Sequence, residues 1–532
     1  MNKSFINITF TKPELKLWLW CFITLCLTFS FLTVNLIWGN HDWNSMIVGN
    51  PITSGLIEGR FSQYLLPNLL IDGQIFPLIN IILGFAFYAL AMALLYTRFF
   101  DFKPSFAGTL SLCAVSILPY IIEILYFQFI ILSQLFWPLT ITLALLAAKK
   151  SLTDHPLIFI PLSSLILFFT IGGYPAAINL YLTAALLFLL QNASEKITFK
   201  KLVPLALPFI TSVIVSFIAL YAVHQGLQAN HKMMALYNNQ PLSLKDLILK
   251  IPFMYKAVVL SLLQPQPYLS LTLKLIMTTI ILLCFIADMT NRKDSLDRLF
   301  HIILWLILPF CLKFSAWLIN ENPDEYFAQH DPATFMLRAD FYAVPVFLMY
   351  CLSALNQKNY HLLKNLSFIL AFALLGLNLN ADFNYSKVQK LGFTAETLLQ
   401  QRINNRITET APFDFNNNYI VVQAGELPLR PHYYIAKPLE NYGYYTMQIP
   451  STRYWLPNEF YAFYEPENFV ITEHAILPEN ITPEMRNFLA TNLKTWPAKS
   501  SLYIDNSYII LFLTPKGRQM ITKQFKNLRS SK

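Results

Sequence analysis

The feature that most constrains this chain is a series of about eleven long apolar segments in its first 380 residues. The first runs from Leu17 to Trp38, and at about 1.5 Å per residue it is long enough to cross a hydrocarbon core of about 30 Å. It is too long for a signal peptide and has no small-residue cleavage site, so we expect it to stay as an anchor. The other predicted spans lie at 76–96, 106–119, 125–148, 156–170, 176–190, 202–223, 270–287, 299–318, 341–355 and 365–379.

The loops between these segments are basic every second time. The positive-inside rule places such loops, and the N-terminus with them, in the cytoplasm. Residues 39–75, 224–268, 319–340 and everything after 380 are then external, which requires an odd number of spans. The basic residues that carry this prediction are Lys12, Lys16, Arg98, Lys103, Lys149, Lys150, Lys196, Lys200, Lys201, Arg292, Lys293, Arg298, Lys358 and Lys364.

Composition agrees with a polytopic membrane protein, because 55% of the residues are hydrophobic and only 13% are charged. The net charge of +9 is spread over many loops. A nucleic-acid-binding protein would instead gather its Lys and Arg on one soluble face, so we exclude that class. All six cysteines fall inside apolar segments, where they are typical of core residues rather than of disulfides or metal ligands.

The character of the chain changes after residue 380, and we predict a membrane domain at 1–380 and a small external α/β domain at 381–532. Asp505 and Asn506 tolerate the left-handed turn conformation, which predicts a β-hairpin there. β-branched and aromatic runs predict strands at 419–422 and 507–513. An apolar period of 3.6 residues predicts a helix at 482–493.

Candidate chemistry lies in the first external loop, which contains His41, Asp42 and Trp43, followed later by Glu58 and Arg60. A carboxylate at the membrane surface can deprotonate an acceptor hydroxyl, and Asp42 is our candidate for this general base. The alternative is that Asp42 caps a helical turn.

Arg60 suits a phosphate, because its planar fork donates two parallel hydrogen bonds. The alternative is an arginine that snorkels to lipid head groups. The apolar spacing over Ser54–Leu70 predicts an amphipathic helix along the interface around it.

Several ionisable residues lie in or against apolar segments: Glu123, Lys256, Lys274 and Lys313. A charge at mid-bilayer costs about 2.5–3.5 kcal/mol, so such residues face a polar cavity or reach an interface. Snorkelling explains Lys256 and Lys274, whereas Lys313 lies deeper and predicts a pocket for a lipid phosphate. Arg338, where the chain re-enters the membrane, is a further phosphate or sugar contact.

No cofactor is predicted. The pairs His41-Asp42 and His330-Asp331 allow a divalent-metal site as an alternative, but they lack the close spacing of a helix-borne site. Tyr174 is one of several aromatic residues near predicted external ends, where interfacial belts and sugar stacking both favour such rings.

Five stretches of the chain together carry a resemblance to a known family: His41-Asp42-Trp43, Glu58-Gly59-Arg60-Phe61, Phe76-Pro77-Leu78, the run Gly172 to Asn179, and the run Trp496 to Ser501. With these stretches the chain resembles the bacterial O-antigen glucosyltransferases of the Gtr type II family. The family often has a doubled Asp where this chain has His41-Asp42, and a Trp or Pro where it has Phe61.

The resemblance implies a GT-C type fold in the bacterial inner membrane with a periplasmic active side. It implies an inverting transfer of a sugar, glucose by the family's name, from a polyprenyl-phosphate donor to O-antigen, lipopolysaccharide or another glycan. Asp42 is then the catalytic base. We assign substrate contacts to His41, Trp43, Glu58, Arg60, Glu123, Tyr174, Lys313 and Arg338.

Two other classes remain open. An O-antigen polymerase or a lipid-linked sugar flippase would also have ten or more spans, but a flippase has no evident need of a large external domain. A non-enzymatic scaffold would explain that domain but not the acid and arginine of the first loop.

Overall fold

The computed structural model describes a mostly helical chain. The residues described are 10–35, 60–74, 76–125, 130–192, 199–228, 244–263, 269–292, 294–317, 337–357, 361–414, 417, 419–424, 469–471, 482–491 and 494–530. The helices are α1 (Lys12–Thr28), α2 (Ser30–Val34), α3 (Leu65–Ile71), α4 (Pro77–Leu94), α5 (Phe106–Ser116), α6 (Ile122–Leu125), α7 (Ile131–Lys150), α8 (Pro156–Gly173), α9 (Ile178–Asn192), α10 (Phe199–Gln228), α11 (Leu244–Leu263), α12 (Leu271–Thr290), α13 (Ser295–Leu312), α14 (Phe314–Trp317), α15 (Leu337–Asn356), α16 (His361–Thr408), α17 (Pro483–Thr491) and α18 (Pro515–Ser530).

Among these residues, eight helices are long and apolar enough to cross a membrane, which makes the chain a multi-pass membrane protein. They are Pro77–Phe99, Ile131–Lys150, Pro156–Gly173, Pro175–Asn192, Leu271–Thr290, Ser295–Leu312, Ala339–Asn356 and His361–Lys387. Each coincides with a predicted span. The other three predicted spans fall on α1 and on two shorter apolar stretches, Phe106–Ile121 and Leu202–Ser216, so the total of eleven stays a prediction.

Contacts between helix ends define one end of the helical bundle, which we call the basic end. Arg98, after α4, forms an ion pair with Glu14 of α1 at 2.7 Å. Lys149, at the end of α7, donates to the carbonyl oxygen of Arg98 at 2.7 Å. Since α7 ends here, its first residues, from Ile131, mark the opposite end of the bundle.

Helix α5 has 11 residues, or about 16 Å of rise, which is about half of a hydrocarbon core. Its last turn is capped from another span, because the side-chain amide of Asn378 donates to the carbonyl oxygen of Ala114 at 2.8 Å. The residues that follow, through the 3₁₀ turn Pro119–Ile121, are buried. The connection between the predicted spans 106–119 and 125–148 is therefore a packed break between helices. A broken helix in a membrane protein needs this burial, since its freed backbone groups have no water.

Two other expectations differ from the structure. Within the described part of Ser54–Leu70, only α3 is helical, because Arg60–Tyr64 forms a turn that is tied to other helices. Helix α11 lies in a region that we predicted only as an external loop. It packs against α12 and α13, and this packing rather than its own charged sequence explains the helix.

The chain from Asn50 onward divides into two compact units, with the boundary between Ser386 and Lys387 inside α16. The second unit contains a sheet in the order β2-β1-β4-β3. Strand β1 is parallel to β2 and β4, while β3 and β4 form an antiparallel hairpin. The strands are β1 (Tyr419–Ala424), β2 (Phe469–Ile471), β3 (Leu502–Ile504) and β4 (Tyr508–Phe512).

The sequence predictions for this unit are confirmed: strands at 419–422 and 507–513, a helix in 482–493, and a hairpin. The Asp505 carboxylate accepts hydrogen bonds from the backbone N–H groups of Ser507 and Tyr508 at 2.8 and 2.7 Å. These bonds fix the turn in the way typical of Asp in tight loops. Apolar cores cover both sheet faces, one including Trp496 and the other Phe525.

The Glu14–Arg98 pair makes stability depend on pH. The hydrogen bond from Arg98 lowers the pKa of the nearly buried Glu14 from 4.5 to about 2. The contribution of the ionised Glu14 to the free energy of unfolding is complete above pH 4.5 and is lost as the pH falls towards 2. We expect Glu14→Gln to lower the free energy of unfolding at pH 7 by about 1–3 kcal/mol. Thermal unfolding of the parent and the variant in detergent, between pH 7 and pH 3, measures this difference in stability.

Asp101→Asn is the matched control, since Asp101 pairs with Lys149 at the same end but is mostly exposed. Exposed pairs contribute about 0–1 kcal/mol, so this variant should unfold almost like the parent protein. An equal acid dependence in the Glu14→Gln protein and the parent would rule out Glu14 as its source.

Candidate functional site

The turn Arg60–Tyr64 is held between two spans at the end opposite the basic end. The backbone N–H of Ser62 donates to the carbonyl oxygen of Gly172, at the end of α8, at 3.0 Å. The Ser133 hydroxyl, in the first turn of α7, donates to the carbonyl oxygen of Gln63 at 2.6 Å. The turn is therefore fixed to both helices by main-chain atoms.

Two glycines make this approach possible. A Cβ atom at Gly172 would overlap the ring of Phe61, and one at Gly173 would overlap the indole of Trp137. Side chains of the turn and of α7 thus lie directly against the backbone that leads to Tyr174. Any larger residue at either position would have to displace a packed aromatic ring.

Arg60 begins a chain of contacts that runs across the site. Its guanidinium lies 5.5 Å from the centre of the Tyr174 ring and donates to Gln63 Oε1 at 3.3 Å. The Tyr174 and Tyr342 rings are 5.9 Å apart. The Tyr342 hydroxyl donates to the side-chain oxygen of Gln134, and it also lies 3.2 Å from the backbone oxygen of Gln134. The turn, α7, α8 and α15 therefore contribute to one continuous site.

A buried ion pair stands beside it. Lys313 Nζ lies 2.8 Å from both carboxylate oxygens of Asp340, and the two side chains are 1% and 2% exposed. Lys274 is completely buried and acts electrostatically on Asp340, as does the buried Tyr120. Tyr342 follows Asp340 by two residues on α15, a spacing at which side chains point to different sides of a helix. The ion pair and the contacts of Arg60 are therefore two neighbouring clusters at the same end of the bundle.

The turn that carries Lys313 is fixed by a single side chain of α9. The amide nitrogen of Asn179 donates to the carbonyl oxygen of Leu312 at 2.9 Å, and its oxygen accepts from the backbone N–H of Ser315 at 2.8 Å. These two bonds satisfy main-chain groups that the break between α13 and α14 leaves open. Lys313 is thus held at a fixed place beside Asp340.

Of the predicted site residues, Arg60 and Tyr174 are in contact, and Lys313 lies at the same end of the bundle on the turn that Asn179 holds. Lys313 is buried and paired with Asp340, while the lipid-phosphate pocket predicted for it stays a prediction. Lys274 does not snorkel, because its side chain is enclosed by protein, whereas Lys256 is exposed and fits that explanation. The described residues do not include His41, Asp42, Trp43 and Glu58, or the side chains of Glu123 and Arg338.

Sequence reasoning missed Gln63, Gln134 and the pairing role of Asp340. The available signal was polarity in an apolar context, since Gln134 stands inside a predicted span and Asp340 begins one. Only the fold shows that these residues meet Arg60, Tyr342 and Lys313.

The described part of the chain holds no group of three or more His, Cys, Asp or Glu side chains placed to bind a metal ion. His41, Asp42, His330 and Asp331 lie outside it, so the alternative of a metal site formed by these pairs stays a prediction. The polar groups of the described site are cations, amides, phenols and one carboxylate, Asp340, which is paired with Lys313. The cations, amides and phenols suit oxyanions and hydroxyl groups.

A bundle of membrane-spanning helices with an enclosed cationic and aromatic cluster at one end defines a multi-pass membrane protein with an internal polar site. The model of the glucosyl transferase GtrII family matches residues 29–337, which is more than half of the chain. The chain therefore belongs to this family, as the sequence resemblance indicated, and is a membrane glycosyltransferase. No curated protein matches the chain. The family match covers the turn, α7, α8 and Lys313, and ends just before Asp340.

The Lys313–Asp340 pair gives a stability prediction. Removing one partner of a buried pair leaves the other charge uncompensated, which costs about 3–5 kcal/mol. We therefore expect Asp340→Asn to lower the free energy of unfolding by about this amount. Adding Lys313→Met should recover at least half of the loss. Thermal unfolding of the single and double variants in detergent measures both effects.

Asp382→Asn serves as the contrasting control. Asp382 of α16 is also fully buried, but neither of its carboxylate oxygens has a hydrogen-bond partner in the structure. Replacing it should leave stability unchanged or raise it. If Asp340→Asn and Asp382→Asn had the same effect, the pairing with Lys313 would not stabilise the protein.

Proposed function

We propose that this protein transfers glucose from a polyprenyl-phosphate donor to O-antigen, lipopolysaccharide or another surface glycan. The transfer takes place on the periplasmic side of the bacterial inner membrane, in a GT-C type fold. Asp42 is the catalytic base, and Arg60 and Lys313 hold the donor phosphate.

The observation that carries the proposal is the position of Arg60 and Lys313 at the same end of the helical bundle, in a chain of the glucosyl transferase GtrII family. Arginine and lysine are the side chains that bind phosphate most strongly in proteins. The site lies at the end of the bundle opposite the basic end. Under the positive-inside rule the basic end is cytoplasmic, which supports a periplasmic site.

The reaction needs a base, a leaving group and a way to stabilise negative charge. The Asp42 carboxylate takes the proton of the acceptor hydroxyl as the new bond from oxygen to the anomeric carbon forms. The bond from that carbon to the phosphate oxygen breaks, and its electron pair stays on the polyprenyl phosphate. A single displacement of this kind inverts the anomeric carbon. Arg60 and Lys313 stabilise the charge that develops on the phosphate.

The role of Asp42 is tested by Asp42→Asn, which keeps the size of the side chain but removes the base. We expect transfer to be abolished while the protein still inserts into the membrane. Mass spectrometry of the surface polysaccharide repeat unit, in cells with the parent protein, the variant or neither, measures this. Asp72→Asn, an acid after α3 in the same predicted external loop, is the control and should keep activity.

A variant Asp42→Asn that still adds the sugar would remove Asp42 from the mechanism. A parent protein that changes the chain length of the polysaccharide but not its repeat unit would favour the alternative, an O-antigen polymerase or a lipid-linked sugar flippase.

Arg60 is tested by comparing Arg60→Ala with Arg60→Lys. A charged hydrogen bond contributes about 1.5–3 kcal/mol, so Arg60→Ala should lower kcat/KM for the lipid-linked donor about 10- to 100-fold. Arg60→Lys keeps the charge but loses the planar fork, and it should recover part of this loss. Kinetics with purified protein and polyprenyl-phosphate glucose measure the effect. Donor kinetics that are equal for Arg60→Ala and the parent would make Arg60 an interfacial anchor.

A further inference from the structure

Three buried N–H donors near Arg60 have no hydrogen-bond acceptor among the described residues. They are the side-chain amide nitrogens of Gln63 and Gln134 and the indole nitrogen of Trp137. All three side chains are almost completely enclosed, at 0%, 1% and 3% exposure. Buried donors are nearly always paired in native proteins, so three orphans in one place call for a physical explanation.

The three donors lie close together. Gln134 and Trp137 are three residues apart on α7, and residues at this spacing share a helix face. Gln63 is joined to the same turn of α7 through the Ser133 hydroxyl, which donates to its backbone oxygen at 2.6 Å. The donors therefore come from two chain segments that meet at the first turns of α7.

The orientation of both amides is set by their partners. Gln63 Oε1 accepts from Arg60 at 3.3 Å, and the side-chain oxygen of Gln134 accepts from the Tyr342 hydroxyl. Rotating the Gln63 amide by 180° would place its N–H₂ group against the Arg60 guanidinium, which only donates, and would lose that bond. In the structure the Tyr342 proton goes to the side-chain oxygen of Gln134, which leaves the Gln134 nitrogen as the unpaired donor. The indole nitrogen of Trp137 is a donor by its chemistry.

Three neutral donors require acceptor oxygens, and their neighbours indicate which kind. Arg60, which is bonded to Gln63, is the charged group that suits the phosphate. In a sugar phosphate the hydroxyl-bearing ring is joined to the phosphate through its anomeric carbon, so it lies within a few ångströms of it. A hexose ring with free secondary hydroxyls provides three hydroxyl oxygens as acceptors. A deoxy ring provides fewer hydroxyl oxygens.

We propose that Gln63, Gln134 and Trp137 bind the hydroxyl oxygens of the donor sugar and determine which sugar is transferred. This inference rests on the proposed function, because it places the sugar beside the phosphate held by Arg60. Bonds to hydroxyl groups discriminate strongly, since a sugar that lacks one leaves a buried donor unpaired. Neutral donors recognise the ring without competing for the phosphate.

The test compares Trp137→Phe and Gln134→Met with the parent protein, using polyprenyl-phosphate glucose and its 2-, 3- and 4-deoxy analogues. Trp137→Phe removes the N–H together with the five-membered ring of the indole but keeps an aromatic side chain. We expect the parent to use at least two of the deoxy donors about 10- to 100-fold less well by kcat/KM. Trp137→Phe should lose most of its discrimination at one hydroxyl position, and Gln134→Met at another.

Gln191→Met is the matched control. Gln191 is a glutamine at the basic end whose side-chain nitrogen is paired with the carbonyl oxygen of Phe100 at 2.8 Å. This variant should keep the discrimination of the parent among the deoxy donors. Unchanged discrimination in Trp137→Phe and Gln134→Met would overturn the inference, because the orphan donors would then serve only bound water.

A binding measurement separates this inference from the proposed function. Glucose at millimolar concentration should raise the thermal stability of the parent, and the rise should shrink in Trp137→Phe but not in Gln191→Met. A parent that shows this pattern without using any lipid-linked donor would contradict the proposed donor and keep the sugar site. If the parent uses the lipid-linked donor, and Trp137→Phe and Gln134→Met keep its discrimination among deoxy donors, the proposed donor is supported and the sugar site is overturned.

Discussion

The docking of the turn Arg60–Tyr64 between α7 and α8 is the constraint on which the site depends. Two hydrogen bonds that involve main-chain atoms hold it, one to Gly172 and one from Ser133. They require the close approach that Gly172 and Gly173 permit, since a Cβ at either position would overlap an aromatic ring. Arg60, Gln63 and Trp137 are positioned together for this reason. The two glycines matter because they are small and not because of a special backbone conformation.

The second constraint is the low polarity of the membrane interior. A buried charge there is tolerated only with a partner, and Lys313 and Asp340 provide this for each other. The pair also raises the energetic cost of changing either residue separately. Under the proposed function, a phosphate that binds Lys313 would replace part of the interaction with Asp340, so the site would exchange one anionic partner for another. Binding of this kind avoids an intermediate state with an isolated buried lysine.

Much of the fold could be predicted, because hydropathy depends on local sequence. The eight helices of the described residues that are long and apolar enough to cross a membrane all coincide with predicted segments, and the hairpin at Asp505 follows from local turn chemistry. Helix α11 was missed because its charged residues obscure an apolar face that packs against α12, α13 and α14. Within the described residues, the helix predicted over Ser54–Leu70 is confirmed from Leu65 onward and wrong at Arg60–Tyr64, because contacts with α7 and α8 outweigh the apolar period there. Local patterns do not contain such contacts.

The site was predictable only where a residue is unusual by itself. An arginine after an acidic loop and a lysine deep in a span both stand out, so Arg60 and Lys313 were found. Gln63 and Gln134 do not stand out, because glutamine is common at span ends and its function depends on which atom is already bonded. Tyr342, 208 residues from Gln134, determines that its nitrogen is the open donor. Charge in a membrane site is therefore visible in a sequence, whereas the direction of a neutral hydrogen bond is set by the fold.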